Sequence, residues 1–97
     1  MDITINGKRV TLRDKIPARL GWDAIVLKLE ALQGKDIRDM AFDDLAAIMA
    51  VAVESWELDG DPASTDSYAA LDLATEFIPL SNALGPWLTA RFSTPKN

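Results

Sequence analysis

The dipeptide Asn6-Gly7 stands between two short segments in which apolar and polar residues alternate. Asn and Gly readily adopt the positive φ angles of a type I′ turn, the turn that suits a two-residue hairpin. We therefore predict a β-hairpin over residues 2–13, and no other local signal constrains the fold as strongly. The pairs that face each other in this register are Ile5 with Lys8, Thr4 with Arg9, and Ile3 with Val10.

This register predicts one apolar face and one polar face for the hairpin. The apolar face carries Met1, Ile3, Ile5, Val10 and Leu12, and the polar face carries Asp2, Thr4, Arg9 and Thr11. An isolated two-stranded ribbon is marginally stable in water, so the apolar face must pack against the rest of the chain.

Apolar residues at three- and four-residue spacing predict helices after the hairpin. A glycine follows the first helix at position 34, and an acidic Gly-Pro turn ends the second at 59–62. Pro79 is expected to break or kink the third segment, and Gly85-Pro86 to interrupt the last. The predicted helices span about 22–33, 43–58, 66–78 and 80–92, and a polar tail covers 93–97. The sequence thus predicts a single α+β domain over residues 1–97, mostly α, in which an N-terminal β-hairpin packs on three to four short helices.

Three tryptophans, at positions 22, 56 and 87, recur with other apolar residues at helical spacing. This pattern favours a place in the core over a binding platform. Trp56 differs because it ends a predicted helix beside an acidic turn. There its ring could cover the core while its N–H meets an aspartate or a backbone carbonyl.

Acidic residues dominate the middle of the chain. The 97 residues carry 10 basic and 15 acidic side chains, for a net charge of −5, and residues 41–76 hold nine carboxylates and no lysine or arginine. Binding to nucleic acid phosphates needs clustered basic residues, so the charge balance argues against it. A solvated surface, a basic partner, or docking of the chain's own Arg9 and Arg13 each fits this segment.

The chain contains neither histidine nor cysteine. The commonest general base, the thiol nucleophile and the usual zinc ligands are therefore absent. A calcium loop starting at Asp59 fails its template, because Ser64 stands where glycine is needed and Ala70 where a glutamate is needed. We predict a protein that is not an enzyme, with no catalytic residue, no metal site and no cofactor.

No apolar run approaches the roughly 18 residues that a membrane span needs. The first residues also lack a basic stretch followed by an apolar one, as a secretory signal would have. We therefore expect a soluble, intracellular protein that makes no membrane contact.

The order of these parts resembles the small tail assembly chaperones of long-tailed bacteriophages. The resemblance covers most of residues 1–80. It consists of the hairpin Ile-Thr-Ile-Asn-Gly-Lys-Arg-Val-Thr-Leu-Arg at 3–13, a helix, a second helix ending in Val53-Glu54-Ser55-Trp56, an Asp-Gly-Asp-Pro turn, and Tyr68-Ala-Ala-Leu71 opening a further helix.

This resemblance implies a non-enzymatic helper in the host cytoplasm. Such a helper binds the tape-measure protein while the tail tube polymerises around it. The resemblance also implies the tail-tube protein as a partner. Self-association is a further expectation, since chaperone action favours several weak, repeated contacts over one tight pocket. The family offers no motif of contact residues to transfer onto this chain.

The partner site is therefore predicted from physical grounds. One candidate is the acidic turn around Trp56, with Glu54, Glu57, Asp59 and Asp61; the other is an apolar groove between helices that takes an amphipathic segment. Two other functions fit the same sequence. They are an acidic inhibitor that mimics DNA, which needs carboxylates spaced like phosphates, and a small structural head-tail joining protein.

Overall fold

Three strands and four helices make up the part of the chain that the computed structural model describes, residues 1–32 and 39–92. The predicted class, α+β and mostly α with an N-terminal hairpin, is confirmed. In chain order the elements are β1 (Asp2–Ile5), β2 (Lys8–Leu12), α1 (18–32), α2 (Phe42–Ala52), β3 (Val53–Trp56), α3 (Thr65–Ala69) and α4 (73–92).

The N-terminal hairpin has the predicted turn and register. Asn6 and Gly7 have φ angles of 52° and 76°, as a type I′ turn requires. β1 pairs antiparallel with β2, and the paired residues are Asp2 with Thr11, Ile3 with Val10, Thr4 with Arg9 and Ile5 with Lys8.

The apolar face of the hairpin lies on the core. Ile5, Val10 and Leu12 are buried, and Ile3 packs against the core from a half-buried position. Helices α2 and α4 supply most of the remaining buried surface, with Tyr68 from α3 and Ile25 from α1. The largest fully buried side chains are Trp87, Tyr68, Leu12, Ile25, Ile48, Met49, Leu80, Leu84, Val10 and Val53.

A third strand, β3, replaces the end of the predicted second helix. The prediction of a helix over 43–58 is wrong beyond Ala52, because Val53–Trp56 pairs antiparallel with β2. The β-branched and aromatic residues of this segment suit a strand, and the pairing satisfies backbone groups on the free side of β2. Val53 fits both helical and strand periodicity. The segment forms a strand because it pairs with β2. The sheet order is β1-β2-β3, with an irregular register where Leu12 faces Val53.

Helix α1 begins at Ala18, directly after Pro17, and not at Trp22 as predicted. It contains a wide π turn over Trp22–Val26, in which the N–H of Leu27 donates to the carbonyl of Trp22 five residues back. One additional residue in the turn rotates the preceding side chains by about 100°. Ile25 therefore remains buried, whereas Trp22 points outward with 58% of its surface exposed. The prediction of a core position for Trp22 is wrong, and the predicted helix end at residue 33 lies outside the described residues.

Residues 70–72 are not helical, so the helix is interrupted there and not at Pro79, where the sequence predicted a break. The predicted third helix over 66–78 is therefore wrong beyond Ala69, and α4 begins at Leu73. Asp72 caps α4 by accepting a hydrogen bond from the Thr75 N–H at 2.9 Å, and Glu76 accepts one from the Asp72 N–H at 2.9 Å. The hydrogen bonds from Thr75 hold the pKa of the Asp72 carboxyl below its usual range.

Two prolines lie inside α4 without ending it. A π turn over Leu73–Phe77 stands directly before Pro79. This wide turn accommodates a residue that has no N–H, so the helix passes the predicted break. The helix also continues through Pro86, contrary to the predicted interruption, because Gly85 has no Cβ to clash with the proline ring. The predicted tail at 93–97 lies outside the described residues.

Candidate partner-binding site

The site residues that the sequence predicts lie on β3 and on the acidic turn that follows it, residues 57–62. Glu54, Glu57, Asp59 and Asp61 are all exposed, and Trp56 between them is half-buried. The Trp56 indole N–H donates to the Gly60 carbonyl at 2.9 Å and closes the turn. Glu57, Asp59 and Asp61 thus lie beyond the end of β3, whereas Glu54 lies within the strand. Of the two acceptors expected for Trp56, the structure shows the backbone carbonyl.

Two of the four carboxylates are engaged by backbone groups. A Glu57 oxygen accepts a hydrogen bond from the Arg9 N–H at 2.6 Å, and Asp61 accepts one from the Ala63 N–H at 2.9 Å. Glu54 and Asp59 make no hydrogen bond or ion pair within the described parts of the chain. The side chains of these two residues therefore face solvent.

Trp56 supports the turn and is only partly available to a ligand. Its ring packs on Tyr68 with the centroids 5.0 Å apart. The Tyr68 hydroxyl lies 2.6 Å from the Pro62 carbonyl oxygen and 3.1 Å from that of Met49. Burial, and then the nearby Asp61 carboxylate, raise the pKa of Tyr68, so its hydroxyl stays protonated as a donor. The aromatic pair therefore fixes the acidic turn to helix α2.

Within the described residues, the basic residues of the N-terminal part, residues 1–40, contact the acidic segment 41–76 mainly through backbone groups. The Arg13 side chain donates from Nε to the Val51 carbonyl at 2.9 Å, near the end of α2. Arg9 contributes its carbonyl, which accepts from the Glu57 N–H at 2.9 Å, as well as its N–H. Lys28 and Asp44 form a side-chain ion pair at 2.8 Å. Most of the acidic surface thus remains solvated.

A second candidate site, an apolar cleft, lies where the chain enters helix α1. We call it the Trp22 cleft. Gly21 lets this entry segment lie close to the helix, since a Cβ there would sit 2.8 Å from a side-chain carbon of Ile16. Leu20 on α1 is also 45% exposed. The cleft is lined by Ile16, Pro17, Ala18, Gly21, Trp22 and Val26.

The sequence predicted an apolar groove as an alternative site but did not place it here. It assigned Trp22 to the core, because the residue fits the periodicity of an ordinary α-helix. Leu20 gave a usable signal, since it lies two residues before Trp22 and outside that periodic pattern. Residues two positions apart on an α-helix point about 200° away from each other, so Leu20 and Trp22 cannot both face the core.

A separate apolar patch lies between α2 and α4. The rings of Phe42 and Phe77 have their centroids 5.2 Å apart. Phe42 remains 43% exposed, and Leu73, four residues before Phe77, is 65% exposed. Leu73 does not line the Trp22 cleft.

The described residues contain no cluster of three acidic side chains with the geometry of a metal site. Helices within these residues also fall short of the length and apolar character that a membrane crossing needs. Within residues 1–32 and 39–92, the candidate binding surfaces are therefore the acidic turn, the Trp22 cleft and the apolar patch at Phe42 and Leu73.

Comparison of the chain with protein-family models, with curated proteins and with solved structures finds no match.

Proposed function

We propose that this chain is a non-enzymatic tail assembly chaperone of a long-tailed bacteriophage, which binds the tape-measure protein in the host cytoplasm while the tail tube assembles. The observation that carries the proposal is the exposure of Trp22, at 58%, beside an apolar cleft. Large apolar side chains exposed around a concave surface are typical of sites for protein partners. The resemblance in the order of parts supports the choice of partner.

The partner segment that suits this surface is an amphipathic helix. Its apolar side chains would enter the Trp22 cleft, in the way that helices dock into apolar grooves of other binding proteins. Trp22 supplies the large aromatic surface that commonly provides much of the binding energy in such contacts.

Charge adds selectivity at a second surface, on β3 and the acidic turn. The net charge of −5 favours a partner segment with basic residues on its polar face and disfavours acidic ones. Glu54 on β3 and Asp59 on the acidic turn are exposed and unpaired within the described residues, so they are the carboxylates available to such residues. A tail-tube protein is a further partner that the resemblance implies.

A tape-measure protein is long, so one small chain would cover only part of it. Many copies that each make one weak contact would keep its apolar surface out of water and still release it as the tube advances. Binding at several sites on one molecule multiplies weak affinities, so the individual contact does not need to be tight.

Co-expression tests the proposal. The chain is produced together with a tape-measure protein from the same gene neighbourhood, and separately with DNA-processing enzymes as controls. We expect the tape-measure protein to stay soluble and to co-purify with the chain, and the enzymes to be unaffected. An insoluble tape-measure protein would count against the chaperone. Inhibition of a DNA-processing enzyme would favour the DNA mimic.

A further inference from the structure

Strand β1 forms one outer edge of the sheet and has a neighbour on one side only. The Leu12 N–H donates to the Met1 carbonyl at 2.7 Å, and the Met1 ammonium donates to the Leu12 carbonyl at 3.0 Å. Hydrogen-bonded pairs alternate along an antiparallel ladder, so Ile3 and Ile5 also direct their backbone groups toward β2. The N–H and C=O groups of Asp2 and Thr4 therefore point away from the sheet.

No strand within the described residues pairs with this edge. No hydrogen bond from residues 1–32 or 39–92 reaches the outward groups of Asp2 and Thr4, and both side chains are exposed. β1 carries no proline, no lysine and no bulge; its short length and the charge of Asp2 weaken edge pairing but do not block it. The opposite edge differs, because β3 has an irregular register at Val53 and the Trp56 side chain folds against Gly60.

We propose that β1 binds β1 of a second copy of this chain, antiparallel, about a twofold axis at Ile3. The two three-stranded sheets would then join into one sheet of six strands. This inference rests on the strand edge alone and does not depend on the proposed function.

The register follows from which backbone groups are free. With the axis at Ile3, Asp2 lies opposite Thr4 of the second copy, and Thr4 lies opposite Asp2 of the second copy. The outward N–H and C=O groups of Asp2 and Thr4 in both copies are then hydrogen-bonded. An axis at Asp2 would bring two aspartates face to face, and like charges opposite each other destabilise a sheet. An axis at Thr4 would place Asp2 opposite Asn6, which lies in the turn with φ 52° and cannot continue a ladder.

Side chains on both faces suit the same register. On the polar face, Thr4 would lie beside Asp2 of the second copy, and Thr11 already donates to Asp2 at 2.8 Å in this way across β1 and β2. On the apolar face, Ile3 meets its own copy and Met1 meets Ile5. Met1 is 47% exposed in the single chain, so this contact would cover it.

The contact is small, since only four residues of each chain form β1. Stable dimers usually bury about 800 Å² on each partner, more than one short edge provides. We therefore expect a weak dimer that forms as the protein concentration rises.

Sedimentation equilibrium on the full chain, without an N-terminal tag, tests this pairing with Thr4→Asp and Thr4→Lys as matched variants. In the dimer, position 4 faces Asp2 of the second copy at two symmetric places. We expect Thr4→Asp to raise the dissociation constant about fivefold to thirtyfold, and Thr4→Lys to lower it.

Within a single chain the two variants have the opposite effect, because position 4 faces Arg9. Thr4→Asp gains an attraction there and Thr4→Lys a repulsion, so unfolding cannot explain a weaker dimer of the aspartate variant. A chain that is monomeric at all concentrations would overturn the proposal. So would a dimer whose dissociation constant is the same in both variants, because that dimer would use another surface. Neither result bears on the tape-measure protein, which is absent from the experiment.

Discussion

The indole ring of Trp56 packs against the phenol ring of Tyr68, with centroids 5.0 Å apart and ring planes tilted by 52°. Trp56 closes the acidic turn through Gly60, and Tyr68 reaches the carbonyl oxygens of Pro62 and Met49. The pair thus connects the most acidic surface of the chain to the core of helix α2. The stability of this connection can be measured directly.

Replacing Tyr68 with phenylalanine should lower the free energy of unfolding by about 1–2 kcal/mol. The ring and its contact with Trp56 remain, but the carbonyl oxygens of Pro62 and Met49 lose their shared donor. Urea denaturation of both proteins gives the difference. An unchanged free energy of unfolding would mean that the hydroxyl contributes nothing to the fold.

Alkaline pH should weaken the same connection. Burial and the Asp61 carboxylate raise the pKa of Tyr68 above its ordinary value of 10.0. The folded state therefore favours the protonated hydroxyl, so its contribution is fully present below pH 10 and falls as the pH rises above that value. Denaturation at several pH values should show this loss in the wild type and a smaller one in Tyr68→Phe. Equal slopes above pH 10 would contradict the assignment.

Gly60 should resist substitution by alanine. Its φ angle is +93°, and a Cβ there would lie 2.7 Å from the Ser67 hydroxyl oxygen. We expect Gly60→Ala to lower the free energy of unfolding by about 1–3 kcal/mol. Adding Ser67→Ala should recover part of this loss, because it removes the hydroxyl oxygen but leaves the Ser67 Cβ at 3.1 Å and the strained φ. Full recovery would show that the backbone conformation costs nothing.

The two faces of the hairpin should respond differently to a negative charge. Ile5 is buried, so Ile5→Asp should cost about 3 kcal/mol or more, because an unpaired carboxylate would enter the core. Thr4 is exposed and faces Arg9, so Thr4→Asp should leave stability nearly unchanged or slightly raise it. Thermal denaturation compares the two variants at low protein concentration. Similar melting temperatures would contradict the assigned faces.

Local chemistry made the hairpin predictable. The turn at Asn6-Gly7 and the alternation on either side lie within about ten residues of one another, so the register follows from neighbouring positions alone. Strand β3 was not predictable in this way, because Val53 pairs with Leu12, which is 41 positions earlier. The same residues also continue the helical periodicity of α2, and only the free side of β2 distinguishes the two outcomes.

One candidate site was predictable from local residues and the other was not. The turn at Asp59-Gly60-Asp61-Pro62 was predicted at its place in the chain, since these residues end regular structure by their own chemistry. The Trp22 cleft was missed because its position depends on the π turn after Gly21. That turn changes the direction of Trp22 without changing the spacing of the apolar residues. Hydrophobic periodicity assumes an ordinary α-helix and cannot register such a change.

Binding of the tape-measure protein at the Trp22 cleft can be measured as the amount of that protein that co-purifies with two matched variants. Trp22→Ser and Leu73→Ser each remove a large apolar side chain that is more than half exposed, at 58% and 65%, so both proteins should fold. We expect Trp22→Ser to recover about tenfold less tape-measure protein or lower still, and Leu73→Ser to match the wild type. Recovery by Trp22→Ser equal to that of the wild type would contradict the account.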